Sequence, residues 1–366
     1  FLESTGIYHF PLFCYLVDCG FNASIINPII THSTKNGNIR KVKNDKIDSK
    51  GIAKLGLSKD IPVSQFPAKL VLELRSLTRK YYDLTDERSA HINKLKGDLH
   101  TVFPQYLDVF CDVTGKTSTM ILRQYGTPDK ILRGHKKTMI EKISKASRKG
   151  LAKASERYEK LCAAANAAKT FGCQIDSIYF NIFLTLDLVE KLDSALDSIL
   201  NRIRQLITFN KNEKFIQQIK LLNTIPGVGF LTAVTIMCEI GDFSAFRNPK
   251  QLFAYFGLDP EVNESGKFVG TQLHMSKRGS RIARRAIFAV ALASIRTKRN
   301  GEGINPYLRK YYELKSGQKP KMVAIGAVMH KVCNIVFAVL RDEKAFELRS
   351  PEEHCKQYQR PALAAA

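Results

Sequence analysis

The chain has 366 residues, enough for two or three domains with cores of their own, and 44% hydrophobic and 25% charged residues put it in the globular class. It carries 57 Lys and Arg against 34 Asp and Glu, a net charge of +23, which favours a polyanionic partner, most simply nucleic acid. A membrane role finds no support: AIFAVALASI (286–295) is too short to span, residues 322–340 are interrupted by His330 and Lys331 and read as a buried helix, and no basic amphipathic helix has an aromatic face.

In chain order, residues 1–62 read as α/β. YHFPLFCYLVDCGF fits a helix running to a glycine stop, and FNASIINPI (21–29) suits a buried strand ending at Asn-Pro. NDKIDSKGIAKLGL has helical spacing, with Ile47, Ile52 and Leu55 on or near one face. DIPVSQFPAK (60–69) reads as a linker. Residues 63–215 are predicted to be helical, with coiled-coil-like stripes at Leu70, Leu74, Leu77, Tyr81 and Leu84 and at Val189, Leu192, Leu196, Ile199, Ile203 and Leu206. Two helices of an ordinary bundle would give the same spacing. The Lys-rich stretch 112–170 between them reads as basic, partly mobile helix. Residues 216–345 form a mostly α segment, and 346–366 a tail without periodicity. The fold class is therefore α/β plus mostly α.

Three stretches point to chemistry. In KVKNDKIDSK, Asp45 and Asp48 stand three apart on one helical face, where a cation is a reason to keep two carboxylates together. Taken alone, a solvated helix start explains the pair more readily. Glu3, just ahead of Ser-Thr-Gly where a strand would end, changes the weighing. A strand-end glutamate with a helical D-x-x-D is how RNase H-like nucleases gather Mg²⁺ ligands for phosphoryl transfer.

TIPGVGFLTA (224–233) is similar to a helix-hairpin-helix element, in which Gly227 and Gly229 let the backbone approach a phosphate; a plain tight turn is the competing reading. From Lys267 to Asn300 there are nine Lys and Arg (Lys267, Lys277, Arg278, Arg281, Arg284, Arg285, Arg296, Lys298, Arg299) and no Asp or Glu, a phosphate-contacting signature. Ser265, read as part of a Ser-Gly turn, stands beside them. A serine near cations can attack a phosphodiester, although most Ser-Gly pairs are only turns.

Other patterns are set aside. TGKTS (114–118) echoes a P-loop, but Phe110 occupies the position of its first glycine, and the stretch reads as a loop. The eight cysteines form no zinc spacing and suggest reduced thiols in a cytoplasmic protein; the eight histidines form no metal motif.

In order along the chain, ESTGIYHFPLFCYLVDCGFNASIINP, VKNDKIDSKGIA, LLNTIPGVGFLTAVTIMCEIGDFSAFRNPKQLFAYFGLDPEVNESG and MSKRGSRIARRAIFAVALAS resemble the insertion sequence 110 family of DEDD transposases. The likeness covers residues 1–60 and about 217–342, with the helices between them matching in character only. It implies a RuvC-type RNase H-like domain, of which residues 1–62 are the later part, then a coiled coil and a helical transposase domain. It further implies Mg²⁺ held by Glu3, Asp45 and Asp48 as the second to fourth family acids, and Ser265 as the nucleophile that links covalently to DNA. The implied partners are element-end and target DNA, a structured guide RNA encoded in the element, and further copies of the chain in a dimer or tetramer. The first family acid is expected upstream of Phe1, so this chain is expected to bind nucleic acid yet be weak or inactive alone. The alternatives are a decayed transposase that only binds DNA or RNA, and a RuvC-like junction nuclease that hydrolyses with water.

Overall fold

The computed structural model describes residues 1–4, 8–26, 31, 45–58, 68–261, 264–265, 268–269, 274–350 and 352–353. The described chain is mostly helical and divides into two units, Phe1–Leu72 and Glu73–Ala366.

The first unit begins as a β–α–β crossover. Strand β1 (Leu2–Glu3) pairs in parallel with β2 (Ile25–Ile26), Leu2 opposite Ile25 and Glu3 opposite Ile26, with helix α1 (His9–Asp18) between them. The predicted glycine stop is there: Gly20, at φ +82°, and Phe21 donate back to the carbonyls of Val17 and Leu16, the two bonds of a Schellman cap. Phe13, Ala23 and Ile26 are buried. Helix α2 (Asp45–Ser58) buries Leu55, one of the predicted apolar positions.

Helix α3 (Lys69–Val102) is one of two 34-residue helices; the other, α9 (Asp176–Phe209), lies antiparallel to it in the second unit. The Tyr179 hydroxyl reaches the Val102 carbonyl, and Arg88 pairs with Asp193, so position numbers rise on one helix as they fall on the other. In α9 three of the six predicted stripe positions, Val189, Leu196 and Ile203, are buried and recur every seventh position, while Leu192, Ile199 and Leu206 are half-buried. In α3 the stripe is rotated. Leu74 and Leu84 are buried, Leu77 and Tyr81 only half so, and polar Thr78 is fully buried, its hydroxyl bonded to the Arg75 carbonyl.

Between the long helices lies a packed helical module: α4 (Tyr106–Val109), α5 (Lys116–Gln124), α6 (Pro128–Arg133), α7 (Lys136–Ser147) and α8 (Leu151–Phe171). Its core gathers Phe103, Tyr106, Ile121, Leu122, Ile131, Met139 and Leu161 with Leu95 and Leu99. TGKTS is not a loop: Gly115 caps α5 and Lys116 opens it. Thr117 and Ser118 are buried, and Ser118 Oγ meets the Tyr106 hydroxyl at 3.0 Å, so the Ser118 hydroxyl faces the core.

The rest is a second helical core: α10 (Lys214–Leu222), α11 (Phe230–Ile240), a 3₁₀ turn (Phe243–Ala245), α12 (Pro249–Tyr255), α13 (Arg281–Ile295), α14 (Pro306–Ser316) and α15 (Lys321–Asp342). Helix α15 is long and apolar enough to cross a membrane, yet it buries Ile325, Val328, Val332, Val336 and Leu340 against its neighbours, as the sequence predicts for a core helix. Burial pushes the thiol of Cys238, on α11, up to about 12. The segment after α15 does not run off as a tail at once. The Phe346 amide donates to Thr224 Oγ1 at 2.8 Å.

Candidate nucleic-acid interface

Helix α10 ends on Leu222, and the chain turns through 223–229 into α11. Within that turn Val228 N donates to the Ile225 carbonyl at 2.9 Å, with Pro226 and Gly227 at the central positions and Gly227 at φ +97°. This is the Pro-Gly pattern of a type II turn, where only glycine is at ease. Gly227 is also pressed against α13. A Cβ there would lie 2.5 Å from Ser294 Oγ and 2.9 Å from its backbone nitrogen, while Ser294 Oγ donates to the Pro226 carbonyl. Gly229 differs. It caps α11 without a side-chain bond, and a Cβ there would meet nothing within 4 Å. The free amides of the first turn of α11 thus open outward at Gly229, with the positive end of the helix dipole behind them. The Arg204 guanidinium stands 6.0 Å from the Phe230 ring at the same end. Arg204 is missed by sequence reasoning, because 26 positions separate it from Phe230 and only the fold joins them.

The second element is a β-ribbon between α12 and α13. Its arms join at Pro260 and Met275, at Glu261 N to His274 O (2.7 Å), and at Ser276 N to Asp259 O (2.8 Å). Ser276 Oγ also donates to Asp259 Oδ1 at 2.6 Å. Farther out, β3 (Glu264–Ser265) pairs antiparallel with β4 (Phe268–Val269), with Ser265 opposite Phe268. Ser265 therefore stands on a hairpin strand. Its side chain, that of Asp45, and all of Lys267 lie outside the described residues.

The ribbon's root is tightly crossed. Gly257, at φ +66°, and Gly279 touch backbone to backbone: a Cβ on Gly257 would lie 2.4 Å from Gly279 N, and one on Gly279 would lie 2.0 Å from Tyr255 O. Arg284 Nη1 donates to the carbonyls of Phe256 (3.2 Å), Lys277 (3.1 Å) and Gly279 (2.7 Å). Burial lowers its pKa from the ordinary arginine value. Arg285 pairs with Asp86 at 2.7 Å and lies 4.8 Å from the Tyr82 ring; Arg281 reaches the same Asp86 at 3.2 Å but is largely exposed. The basic run thus divides by burial: Arg284 and Arg285 are half-buried against the protein, while Lys277, Arg278 and Arg281 are exposed, Arg281 with its bond to Asp86. Lys277 takes the left-handed conformation, φ +53°, which few non-glycine residues adopt.

The predicted acids occupy the elements expected for them. Glu3 lies on β1 and accepts a bond from Thr31 Oγ1 at 2.7 Å. Asp45 opens α2, and Asp48 is half-buried one turn later. Carboxylates are the hard oxygen donors that a Mg²⁺ ion prefers, and in this respect the residues fit the ion. Among the described residues no three His, Cys, Asp or Glu gather into one cluster.

The described chain is thus a mostly helical, strongly basic protein with an exposed cap residue at Gly229 and a serine-bearing ribbon whose root carries exposed Lys277, Arg278 and Arg281. Comparison with known sequences gives the family. The chain belongs to the IS110 family of transposases: a transposase model of this family, DEDD_Tnp_IS110, matches residues 1–104, and that of the transposase IS116/IS110/IS902 family matches residues 219–313. It is 23% identical over 286 residues to a 43.6 kDa protein of insertion element IS110 from Streptomyces coelicolor, covering 77% of this chain and 66% of that protein. It is 30% identical over 177 residues to a pilin gene-inverting protein of Moraxella bovis, covering 48% of this chain and 52% of that one. With the transposase for insertion sequence element IS1111A from Coxiella burnetii it shares 26% identity over half of each chain. The chain thus spans between half and two thirds of the length of these relatives.

Proposed function

We propose that the protein is a DNA transposase or site-specific recombinase of a mobile insertion sequence. It cuts and rejoins element-end and target DNA through a covalent phosphoserine at Ser265, under the direction of an element-encoded guide RNA. The root of the ribbon carries this reading: crossed glycines and the three bonds of Arg284 hold a serine-bearing hairpin whose returning arm ends in Lys277, Arg278 and Arg281. That a relative inverts pilin genes favours site-specific exchange.

In the proposed step the Ser265 hydroxyl oxygen attacks a phosphodiester phosphorus. A P–O bond to serine forms, the bond to the leaving deoxyribose oxygen breaks, and the proton lost by serine is balanced by one gained on the leaving oxygen. Attack by the free hydroxyl of the exchanged strand reverses each change and releases Ser265. Lys267, Lys277, Arg278 and Arg281 offset the charge on the reacting phosphate, and the first-turn amides of α11 at Gly229 hold the backbone nearby in a helix-hairpin-helix manner. Glu3, Asp45 and Asp48 would hold Mg²⁺, which when bound neutralises charge on a nucleic-acid phosphate. Thr31 fixes the Glu3 carboxylate by its hydrogen bond. The parallel β1–α1–β2 start, with Glu3 on its first strand, supports a RuvC-like fold for this part of the chain.

The protein acts as a homo-oligomer in the prokaryotic cytoplasm, on the nucleoid. Support for association comes from α9, where Phe180, Leu184 and Leu188, spaced by four, are 62%, 46% and 43% exposed.

The test is an adduct assay with element-end DNA, guide RNA and Mg²⁺. The complete wild-type protein should give a denaturant-resistant protein–DNA species, and Ser265→Ala in it should give none while binding DNA within about twofold of wild type. An adduct of equal yield from Ser265→Ala removes the serine assignment.

A further inference from the structure

The helical module between the long helices has no part in the function proposed above, yet it carries a second strongly basic stretch. Residues 130–160 contain eleven Lys and Arg against three Glu. Helix α8 buries Ala154, Tyr158, Leu161, Ala165 and Ala168, a seam with alternating steps of four and three. One position earlier, Lys153, Arg157 and Lys160 repeat the same steps, so the basic face is fixed by the core face. Lys149, in the turn before α8, continues the line. The four cations span about 16 Å along the helix at ~1.5 Å per residue.

This line borders a cleft of about 290 Å³, which Ser147 on α7 also lines. The cleft is built rather than incidental. Arg148 takes the left-handed conformation at φ +53° to end α7, and Ser144 Oγ donates to the Lys149 carbonyl at 2.7 Å, which fixes the α7–α8 turn. Gly150 caps α8 without a side-chain bond and faces open space. The Arg157 guanidinium lies 5.7 Å from the centre of the Phe110 ring, which sets the direction of the side chain. Two carboxylates share the lining, Asp108 and Glu156; Glu156 pairs with Lys160 at 2.8 Å, but both are exposed, and such a pair yields readily to a phosphate.

We infer that the module Tyr106–Phe171 carries a second polyanion site, in which Lys149, Lys153, Arg157 and Lys160 line a cleft that takes the sugar–phosphate backbone of a nucleic acid. The length of the line excludes a single phosphate as its full ligand: 16 Å corresponds to about five steps of one strand at ~3.4 Å each. Backbone contacts of this kind position a nucleic acid without reading its sequence.

The test uses the full chain and two probes, a DNA duplex of random sequence and an RNA stem-loop of similar length. Binding is followed by fluorescence anisotropy between about 50 and 200 mM salt. The triple variant Lys149→Ala, Lys153→Ala, Lys160→Ala should lower the slope of log affinity against log salt by about two to three, with roughly tenfold or greater loss of affinity, for at least one probe. Loss with the duplex alone assigns the site to DNA, loss with the stem-loop alone assigns it to RNA, and loss with both gives the shared backbone chemistry. Slopes and affinities equal to wild type with both probes overturn the inference. Acetylation of unmodified protein gives a readout that needs no variant: Lys149, Lys153 and Lys160 should be shielded when probe is bound, and equal labelling with and without probe also overturns it.

Discussion

Arg79 and Glu239 meet through two parallel hydrogen bonds, Nε to Oε1 at 2.8 Å and Nη2 to Oε2 at 2.9 Å. The carboxylate is only 2% exposed, while the arginine is 52% exposed. One residue earlier on α11, the Cys238 carbonyl accepts from Arg75 Nε at 2.7 Å. Two arginines one turn apart on α3 therefore fasten that helix to α11, whose N-terminus forms one half of the proposed DNA contact. Asp86, farther along α3, is held by Arg281 and Arg285 of α13 in the opposite sense of charge.

Removing Arg79 strands a buried carboxylate. Arg79→Ala should cost about 2–3 kcal/mol, below the ~3–5 of a fully buried pair because water screens the exposed arginine. The pH dependence has a definite sign. Burial works to raise the Glu239 pKa, but the bonds from Arg79 and Ser280 and the charges of Arg79 and Arg75 outweigh it, and the net shift is downward from 4.5. A carboxyl depressed on folding stabilises the protein above its unfolded pKa, and that stability is lost as pH falls through the lower folded value. Chemical denaturation below pH ~4.5 should show this loss in wild type, and Glu239→Gln should flatten it.

The two glycines of the α10–α11 turn should respond in opposite ways. Gly227→Ala forces a Cβ onto Ser294 at a φ that L-residues avoid, so a loss of about 2 kcal/mol or more is expected, read as a lower melting temperature. Gly229→Ala meets open space at φ −83° and should leave stability within about 0.5 kcal/mol of wild type. Equal melting temperatures for the two variants would show that the tight approach to α13 is not maintained in solution.

Much of this arrangement is legible in the sequence where one residue type has one local reason. The glycine stop at Gly20, the Pro226-Gly227 turn and the seven-residue recurrence of Val189, Leu196 and Ile203 all follow from local geometry. The α3 stripe is misplaced because Thr78 looks polar in a list of residues, while its hydroxyl is satisfied by its own helix. The module at 106–171 is illegible as a folded unit because α8 packs largely through Ala154, Ala164, Ala165 and Ala168, which give little hydrophobic contrast. The division of the basic run into half-buried Arg284 and Arg285 and exposed Lys277, Arg278 and Arg281, the last still sharing Asp86, depends on carbonyls and acids distant in sequence. Charge alone cannot reveal it.

Arg284 provides the sharpest test of that division. One Nη1 nitrogen serves three backbone carbonyls at the ribbon's root, so Arg284→Ala leaves acceptors without their donor, at a cost of about 1–3 kcal/mol. The loss falls where the arms join, and trypsin should then cut faster at Lys277 and Arg278 than in wild type. The yield of Ser265 adduct should drop as well, since the hairpin is no longer held at its base. The salt dependence of DNA binding should nevertheless keep its wild-type slope, because this guanidinium is occupied by carbonyls and neutralises no phosphate. Arg278→Ala should do the reverse, lowering the slope by about one while leaving proteolysis at Lys277 unchanged. If Arg284→Ala instead lowers the slope by one and leaves the ribbon resistant to trypsin, Arg284 contacts DNA directly, and the clamp at the root is lost from the account.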